Sequence, residues 1–183
     1  MKLLSRKEIE VAIKAVGISE DSRDPAPKGL KSYTIEQTQD FSALWQFPSP
    51  KASTKFVGLL LNRLSVEGHL IAFVREGTWS DQSENSDIEE RVFGNLLKSL
   101  GILPGYSGVS IDSAQSPELL SLVFLYSAFA VTVFQDLIVV SPSSRMIFTI
   151  AHALEIIGQF STQDSLNEAD ALYAKFPFAK SNN

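Results

Sequence analysis

Residues 116–160 read SPELLSLVFLYSAFAVTVFQDLIVVSPSSRMIFTIAHALEIIGQF, and this stretch decides the fold. It begins with Ser116 in the N-cap position, proline at the first helical position and an acid in the first turn. Two strongly apolar runs follow, separated by the turn sequence SPSS at 141–144. The pattern predicts a helix from 117 to about 128, a strand over 131–140 and its hairpin partner over 145–151.

The same stretch contains an uncharged run, residues 119–135, that raises the question of a membrane span. A transmembrane helix candidate has about 18 or more consecutive apolar residues. This run is one residue shorter, contains two serines, a threonine and a glutamine, and leads directly into Asp136. We therefore interpret it as a buried helix that feeds a buried strand, and we expect no membrane span.

Three capping boxes predict helix starts elsewhere in the chain. In each of them a serine is followed three residues later by glutamate, so that each side chain can bond the other residue's backbone N–H. They begin at Ser5, Ser86 and Ser165. Apolar pairs that repeat every four residues over 56–64 predict a further helix with one wide buried face.

Shorter apolar segments predict additional strands. Residues 69–74 form a continuous apolar run, which is typical of an interior strand. Residues 31–36 alternate weakly and suit an edge strand, and 106–112 suit an extended connection. Residues 153–160 are ambiguous between strand and helix, and their β-branched pair with a glycine favours strand.

The remaining segments are expected to be a short helix, a loop and a tail. Asp40 is expected to cap a helix over 41–45. The polar segment 18–31, with two prolines and a glycine, has loop composition, and residues 181–183 are expected to fray. Helices around a hairpin-containing sheet, without repeats or regular βαβ alternation, predict a single α+β domain with a mainly antiparallel sheet.

Composition and charge narrow the functional classes. The 183 residues include no cysteine, which excludes disulfides and thiolate metal sites and favours a reducing, cytoplasmic setting. Residues 1–63 carry 10 basic and 7 acidic side chains, and residues 64–183 carry 6 and 14. Because nucleic-acid binding needs a basic face, the acidic part argues against nucleic acid and favours a basic protein partner. We expect no cofactor, since dinucleotide, P-loop and zinc signatures are lacking in the sequence.

Residues 76–90 form the most distinctive surface segment. They contain six acids and no base, with one tryptophan among them. The spacing does not fit a calcium-binding loop. One interpretation is a solvated loop with acids placed favourably at a helix N-terminus. The other is a docking surface for a cationic partner, and its residues would be Trp79, as an aromatic anchor, with Asp81, Glu84, Asp87 and Glu90.

His152 and Asp136 are the candidate acid–base pair. If Val140 lies opposite Arg145 in the hairpin, Asp136 lies opposite Thr149 and His152 occupies the other face of the sheet. A register slip of one residue would bring both onto one face. The sequence GYSG at 105–108 lacks the last glycine and the preceding strand of a nucleophile elbow, so we interpret it as a turn.

The order helix, acidic loop, helix and hairpin over 136–152 resembles that of small bacterial immunity proteins. Those proteins are cytoplasmic antidotes encoded beside polymorphic or contact-dependent toxins. The resemblance implies a non-enzymatic protein that neutralises a basic toxin domain by occluding its active site. A secretion chaperone or adaptor, which would bind an extended segment, and a hydrolase-type enzyme working through His152 are the alternative hypotheses.

Overall fold

The computed structural model describes residues 1–20, 33–35, 41–64, 66, 68–75, 78–79, 87–112, 116–133, 136–151 and 154–178. This part of the chain contains nine strands and five helices. The strands are β1 (Lys2–Leu4), β2 (Ile18–Glu20), β3 (Tyr33–Ile35), β4 (Phe41–Gln46), β5 (Leu70–Val74), β6 (Gly108–Ile111), β7 (Leu137–Ser141), β8 (Met146–Ala151) and β9 (Glu155–Phe160). The helices are α1 (Arg6–Lys14), α2 (Pro50–Arg63), α3 (Ile88–Ser99), α4 (Pro117–Val133) and α5 (Gln163–Tyr173).

Seven strands form one sheet in the order β1-β6-β5-β7-β8-β9-β4. Each neighbouring pair is antiparallel. Strands β2 and β3 form a separate antiparallel pair. The predicted α+β fold with a mainly antiparallel sheet is confirmed.

The large sheet is covered on both faces. Helices α2, α3, α4 and α5 contribute to the larger core, together with the strand residues that face them. Helix α1 and the β2–β3 pair cover part of the other face and form a second core. Because β5, β7 and β8 lie between these layers, they are buried at every position, which explains why their sequences are apolar without alternation.

The predicted β7–β8 hairpin is confirmed, with a different register. Val140 lies opposite Ile147 instead of Arg145, and Thr149 lies opposite Ile138. The register therefore differs from the predicted one by two residues. Since side chains alternate with a period of two along a strand, each of them keeps its predicted face.

Three predicted segments differ from the structure in their type or their bounds. Residues 41–45 belong to β4 and not to a helix, because the whole strand pairs with β9. Residues 18–20 of the predicted loop form β2, and residues 21–31 lie outside the described residues, as does the predicted tail at 181–183. Residues 131–133 continue α4 and are not part of the following strand.

The helix starts confirm one capping box and correct two. Ser5 and Glu8 form the predicted reciprocal box at the start of α1. Helix α3 is capped by Asp87, one residue after the predicted serine. Helix α5 is capped by Thr162, whose hydroxyl accepts a 3.2 Å hydrogen bond from the N–H of Ser165. Ser165 is therefore the third residue of that helix and not its cap.

Candidate functional site

The structure describes residues 78–79 and 87–90 of the acidic segment. Asp81 and Glu84 lie outside the described residues. Asp87 is exposed, and its carboxylate accepts a 2.8 Å hydrogen bond from the backbone N–H of Glu90. Glu90 is half-buried and lies in the first turn of α3. An acid at each of these positions is favourable beside the positive end of a helix dipole.

Trp79 departs from the expectation of an exposed anchor. Its side chain is 2% exposed. The indole N–H donates a 2.7 Å hydrogen bond to the hydroxyl of Tyr126, which is itself fully buried in α4. Trp79 is therefore a core residue, and its ring is not available to a partner in this structure.

Helix α3 carries an exposed apolar stripe. The helical spacing of the apolar residues in the sequence predicts that Val92 and Leu96 face the core, and this prediction is wrong. Ile88 is 68% exposed, Val92 43% and Leu96 36%. The buried side of the same helix is formed by Phe93 and Leu97. We call Ile88, Val92 and Leu96 the α3 stripe. Its spacing of four residues is the helical period that could have revealed a second apolar face, but periodicity alone does not say which face is covered.

The outer side of α4 is also apolar. Leu120 and Phe124 are partly exposed and Ala128 is exposed, and α4 contains no charged residue after Glu118. We call these three residues the α4 face. It resembles the lipid-facing or partner-facing side of a helix more than the usual charged, solvated side. Among the described residues, however, no helix combines the length and hydropathy of a membrane span.

Two grooves flank the α4 face. One, of about 540 Å³, lies between α2 and α4. The other, of about 500 Å³, lies between α4 and α3. Both are lined by Leu120 and Phe124, which therefore form a ridge between them. Leu59 lines the first groove and Leu96 the second.

Helix directions place opposite charges at one end of this surface. Ser53 of α2 bonds Ser127 of α4 at 2.9 Å, and Phe93 of α3 contacts Phe129 of α4 with 5.7 Å between ring centroids. The N-terminal parts of α2 and α3 therefore both lie beside the C-terminal part of α4. The α2 end carries the exposed Lys51 and Lys55, and the α3 end carries the exposed Asp87 and Glu89.

Asp136, one residue of the candidate acid–base pair, forms an ion pair with Arg75. Its Oδ2 lies 3.2 Å from Nη1 of Arg75, and both side chains are largely buried. Its backbone carbonyl also accepts a 3.1 Å hydrogen bond from the N–H of Arg75. His152 lies outside the described residues. Asp136 is therefore an ion-pair partner at the end of the sheet, whatever the position of His152.

The sequence GYSG at 105–108 begins in a turn and leads into a strand, since Gly105 lies in the turn and Gly108 is the first residue of β6. The backbone angle φ of Gly105 is 84°, in the left-handed region that favours glycine. Ser107 is buried. The N–H of Ser107 donates to the carbonyl of Leu4, and its carbonyl accepts from the N–H of Val74, each at 3.0 Å. This backbone therefore links two strands of the sheet.

A further depression of about 450 Å³ lies beside α1 and is lined by Lys2, Glu8, His69 and Ser110 among others. Hydrogen bonds from the backbone and hydroxyl of Ser5, with help from Lys2, lower the pKa of Glu8 to about 2. Its carboxylate is thus committed to capping α1. Within the described residues, no group of three or more His, Asp or Glu side chains is placed to hold a metal ion.

Comparison of the chain with protein-family models, curated proteins and solved structures gave no match. The resemblance to immunity proteins therefore stays a prediction.

Proposed function

We propose that this protein is a non-enzymatic binding protein that engages a basic partner protein through the N-terminal half of α3. The observation that supports the proposal is the α3 stripe. Ile88 and Val92 are exposed in the same two turns that present Asp87 and Glu89 to solvent. Contiguous exposed apolar side chains with a polar rim are typical of protein interaction sites.

The charges beside the stripe favour a cationic partner. Residues 76–90 contribute six carboxylates and no base to this part of the chain. An excess of carboxylates attracts a basic protein over long distances and makes the association depend on salt concentration. Apolar contacts at Ile88 and Val92 would then supply the short-range part of the affinity. Trp79 is no longer part of the proposed interface, because it is buried.

The specific role that we propose is that of a cytoplasmic immunity protein whose partner is a bacterial toxin domain. The support is the resemblance in element order together with an acidic surface that suits a basic enzyme. Binding at a toxin's active site would neutralise it by occlusion, so the antidote needs no catalytic group of its own.

The experiment is to express the protein of the neighbouring reading frame, test whether it is toxic and neutralised by this chain, and measure the affinity between the two. The test variant is Asp87→Asn with Glu90→Gln and Val92→Ser, and Asn keeps the N-cap. The control variant is Glu10→Gln with Asp164→Asn, which makes the same charge change on α1 and α5. We expect the test variant alone to lose at least about tenfold in affinity and part of the salt dependence.

Equal affinity and salt dependence in both variants would refute the α3 interface. A partner bound as an unfolded export substrate would replace the immunity proposal with the secretion-chaperone hypothesis. Substrate turnover that is lost in His152→Ala would overturn the non-enzymatic proposal.

A further inference from the structure

We propose that two copies of this chain associate through the outer surface of the α2–α4–α3 layer, about a two-fold axis that runs parallel to α4. This inference concerns the purified protein alone, and it stands or falls independently of the proposed function. It rests on the shape of the α4 face and on the charges at its two sides.

The shape of the surface suits a second copy. Leu120 and Phe124 form a ridge with a groove on each side. A small lateral offset of the axis from α4 lets Phe124 of each copy enter the α4–α3 groove of the other, against Leu96 and Phe129. Ridges that enter grooves in this way are the usual geometry of helix packing. Phe124 is 44% exposed in the single chain, and the association would remove that apolar surface from water.

The charge distribution selects the axis. A two-fold axis parallel to α4 exchanges the α2 side with the α3 side and leaves the two ends of α4 in place. Lys51 and Lys55 of one copy would therefore face Asp87 and Glu89 of the other, twice per dimer. Opposite charges meet at both of these sites. At the opposite end Arg63 of one copy would face Lys98 of the other, but the two lysines and two acids at each site outnumber this like-charged pair, so the charges favour this axis on balance.

The perpendicular axis is disfavoured by the same charges. It would leave α2 over α2 and reverse its direction. Lys51 and Lys55 would then face the other end of that helix, where Arg63 lies. On α3, however, Asp87 and Glu89 would face Lys98. Repulsion on α2 would offset the attraction on α3, so this axis has no net charge complementarity.

The two proposed occupants of this region exclude each other. Asp87 and Glu89 lie at the N-terminal end of α3, the helix that carries the α3 stripe and lines one side of the α4–α3 groove. A partner bound on α3 would therefore displace the second copy, and the complex would contain one chain of each protein.

A charge exchange tests the inference. Variant one carries Lys51→Glu and Lys55→Glu, and variant two carries Asp87→Asn and Glu89→Lys. All four positions are exposed, and the asparagine retains the helix cap. We expect the unmodified chain to sediment as a dimer at submillimolar concentration and low salt. We expect each variant alone to weaken that dimer at least about tenfold, and an equimolar mixture of the two to restore it.

Phe124→Glu is a second test on the apolar ridge, with circular dichroism to verify folding. It should sediment as a monomer. An unmodified chain that stays monomeric up to submillimolar concentration overturns the inference, even if another protein binds this surface. A dimer that is insensitive to all three variants, or variants that do not recombine, overturns it as well, since the surface or the axis would then be wrong.

Discussion

The indole N–H of Trp79 and the hydroxyl of Tyr126 form a 2.7 Å hydrogen bond within the core. Phe93 packs edge-on against Tyr126, with 5.2 Å between ring centroids. The backbone of Trp79 is held as well, because its N–H donates to Tyr106 and its carbonyl accepts from Gly105. The contacts of Trp79, Tyr126 and Phe93 join the chain at residue 79 to α3 and α4. The aromatic residue expected to contact a partner therefore stabilises the fold.

Removing this hydrogen bond should destabilise the protein. Tyr126→Phe leaves the indole N–H buried without its acceptor, which costs about 1–3 kcal/mol. Trp79→Phe removes the donor and leaves a cavity, so we expect an equal or larger loss. The double variant should lose less than the sum, because both changes break the same bond. Urea unfolding of the four proteins measures these differences, and additive losses would contradict the coupling.

Stability should fall above pH 10 because of Tyr126. Burial raises the pKa of Tyr126 above its ordinary value of 10.0, and the hydrogen bond from Trp79 offsets this in part. Above pH 10 the unfolded chain loses this proton while the folded chain keeps it, so the free energy of unfolding decreases as the pH rises. Below pH 10 the group has no such effect. Tyr126→Phe should show a shallower decrease than the unmodified chain between pH 10 and about 12, and identical slopes would contradict the assignment.

Local signals predicted much of this fold. The hairpin was predictable because a turn sequence separates two apolar runs, and α1 because Ser5 and Glu8 are close in sequence. Strand β4 was not predictable in the same way. Its partner β9 lies more than a hundred residues away, and the alternation in β4 is interrupted, so the choice between strand and helix depends on long-range pairing.

The candidate surface was predicted in part, for a similar reason. The acids around Asp87 are visible in the sequence, because charge needs no partner to be recognised. The burial of Trp79 depends on Tyr126, which lies 47 residues further along the chain. The residues next to Trp79 in the sequence are polar, so they indicate an exposed segment and not a core position. Val92 and Leu96 of the α3 stripe are predicted for the core because an apolar residue does not reveal whether another element covers it.

Gly158 is expected to be intolerant of any side chain. An added Cβ would lie 2.5 Å from Cζ3 of Trp45. That ring cannot withdraw easily, since its N–H donates to Asp170 and its face packs against Phe56. We expect Gly158→Ala to cost about 1–3 kcal/mol or more of unfolding free energy.

A matched alanine substitution is available at Gly58 in α2. There the added Cβ would lie 3.3 Å from the end of the flexible Leu120 side chain, and alanine favours the helix by about 1 kcal/mol. The net change at Gly58 should stay below about 1 kcal/mol. Thermal and urea unfolding of both variants, at a concentration low enough to exclude association, provide the comparison. Similar losses at the two positions would show that the Trp45 contact is not decisive.

Removing one partner of the ion pair between Arg75 and Asp136 should lower the free energy of unfolding more than replacing both partners. The side chains are 19% and 14% exposed, and within the described residues Nε of Arg75 is buried without a hydrogen-bond partner. Asp136→Ala would leave a largely buried guanidinium without its counter-charge, at about 1–3 kcal/mol after allowance for partial exposure. Combining it with Arg75→Met should recover part of that loss. Chemical unfolding tests this, and a double variant less stable than Asp136→Ala would contradict it.

The α3 stripe should contribute to binding and hardly to stability. Ile88 and Val92 are exposed in the single chain, so Ile88→Ser with Val92→Ser should change the unfolding free energy by only about 0.5–1 kcal/mol, including the small difference in helix propensity. Leu97→Ser in the same helix is the control. That residue is 5% exposed, and its truncation to a polar side chain should cost several times more. A stripe variant that is destabilised as much as Leu97→Ser would mean that these residues are covered within the chain itself, and the interface assigned to them would then be lost.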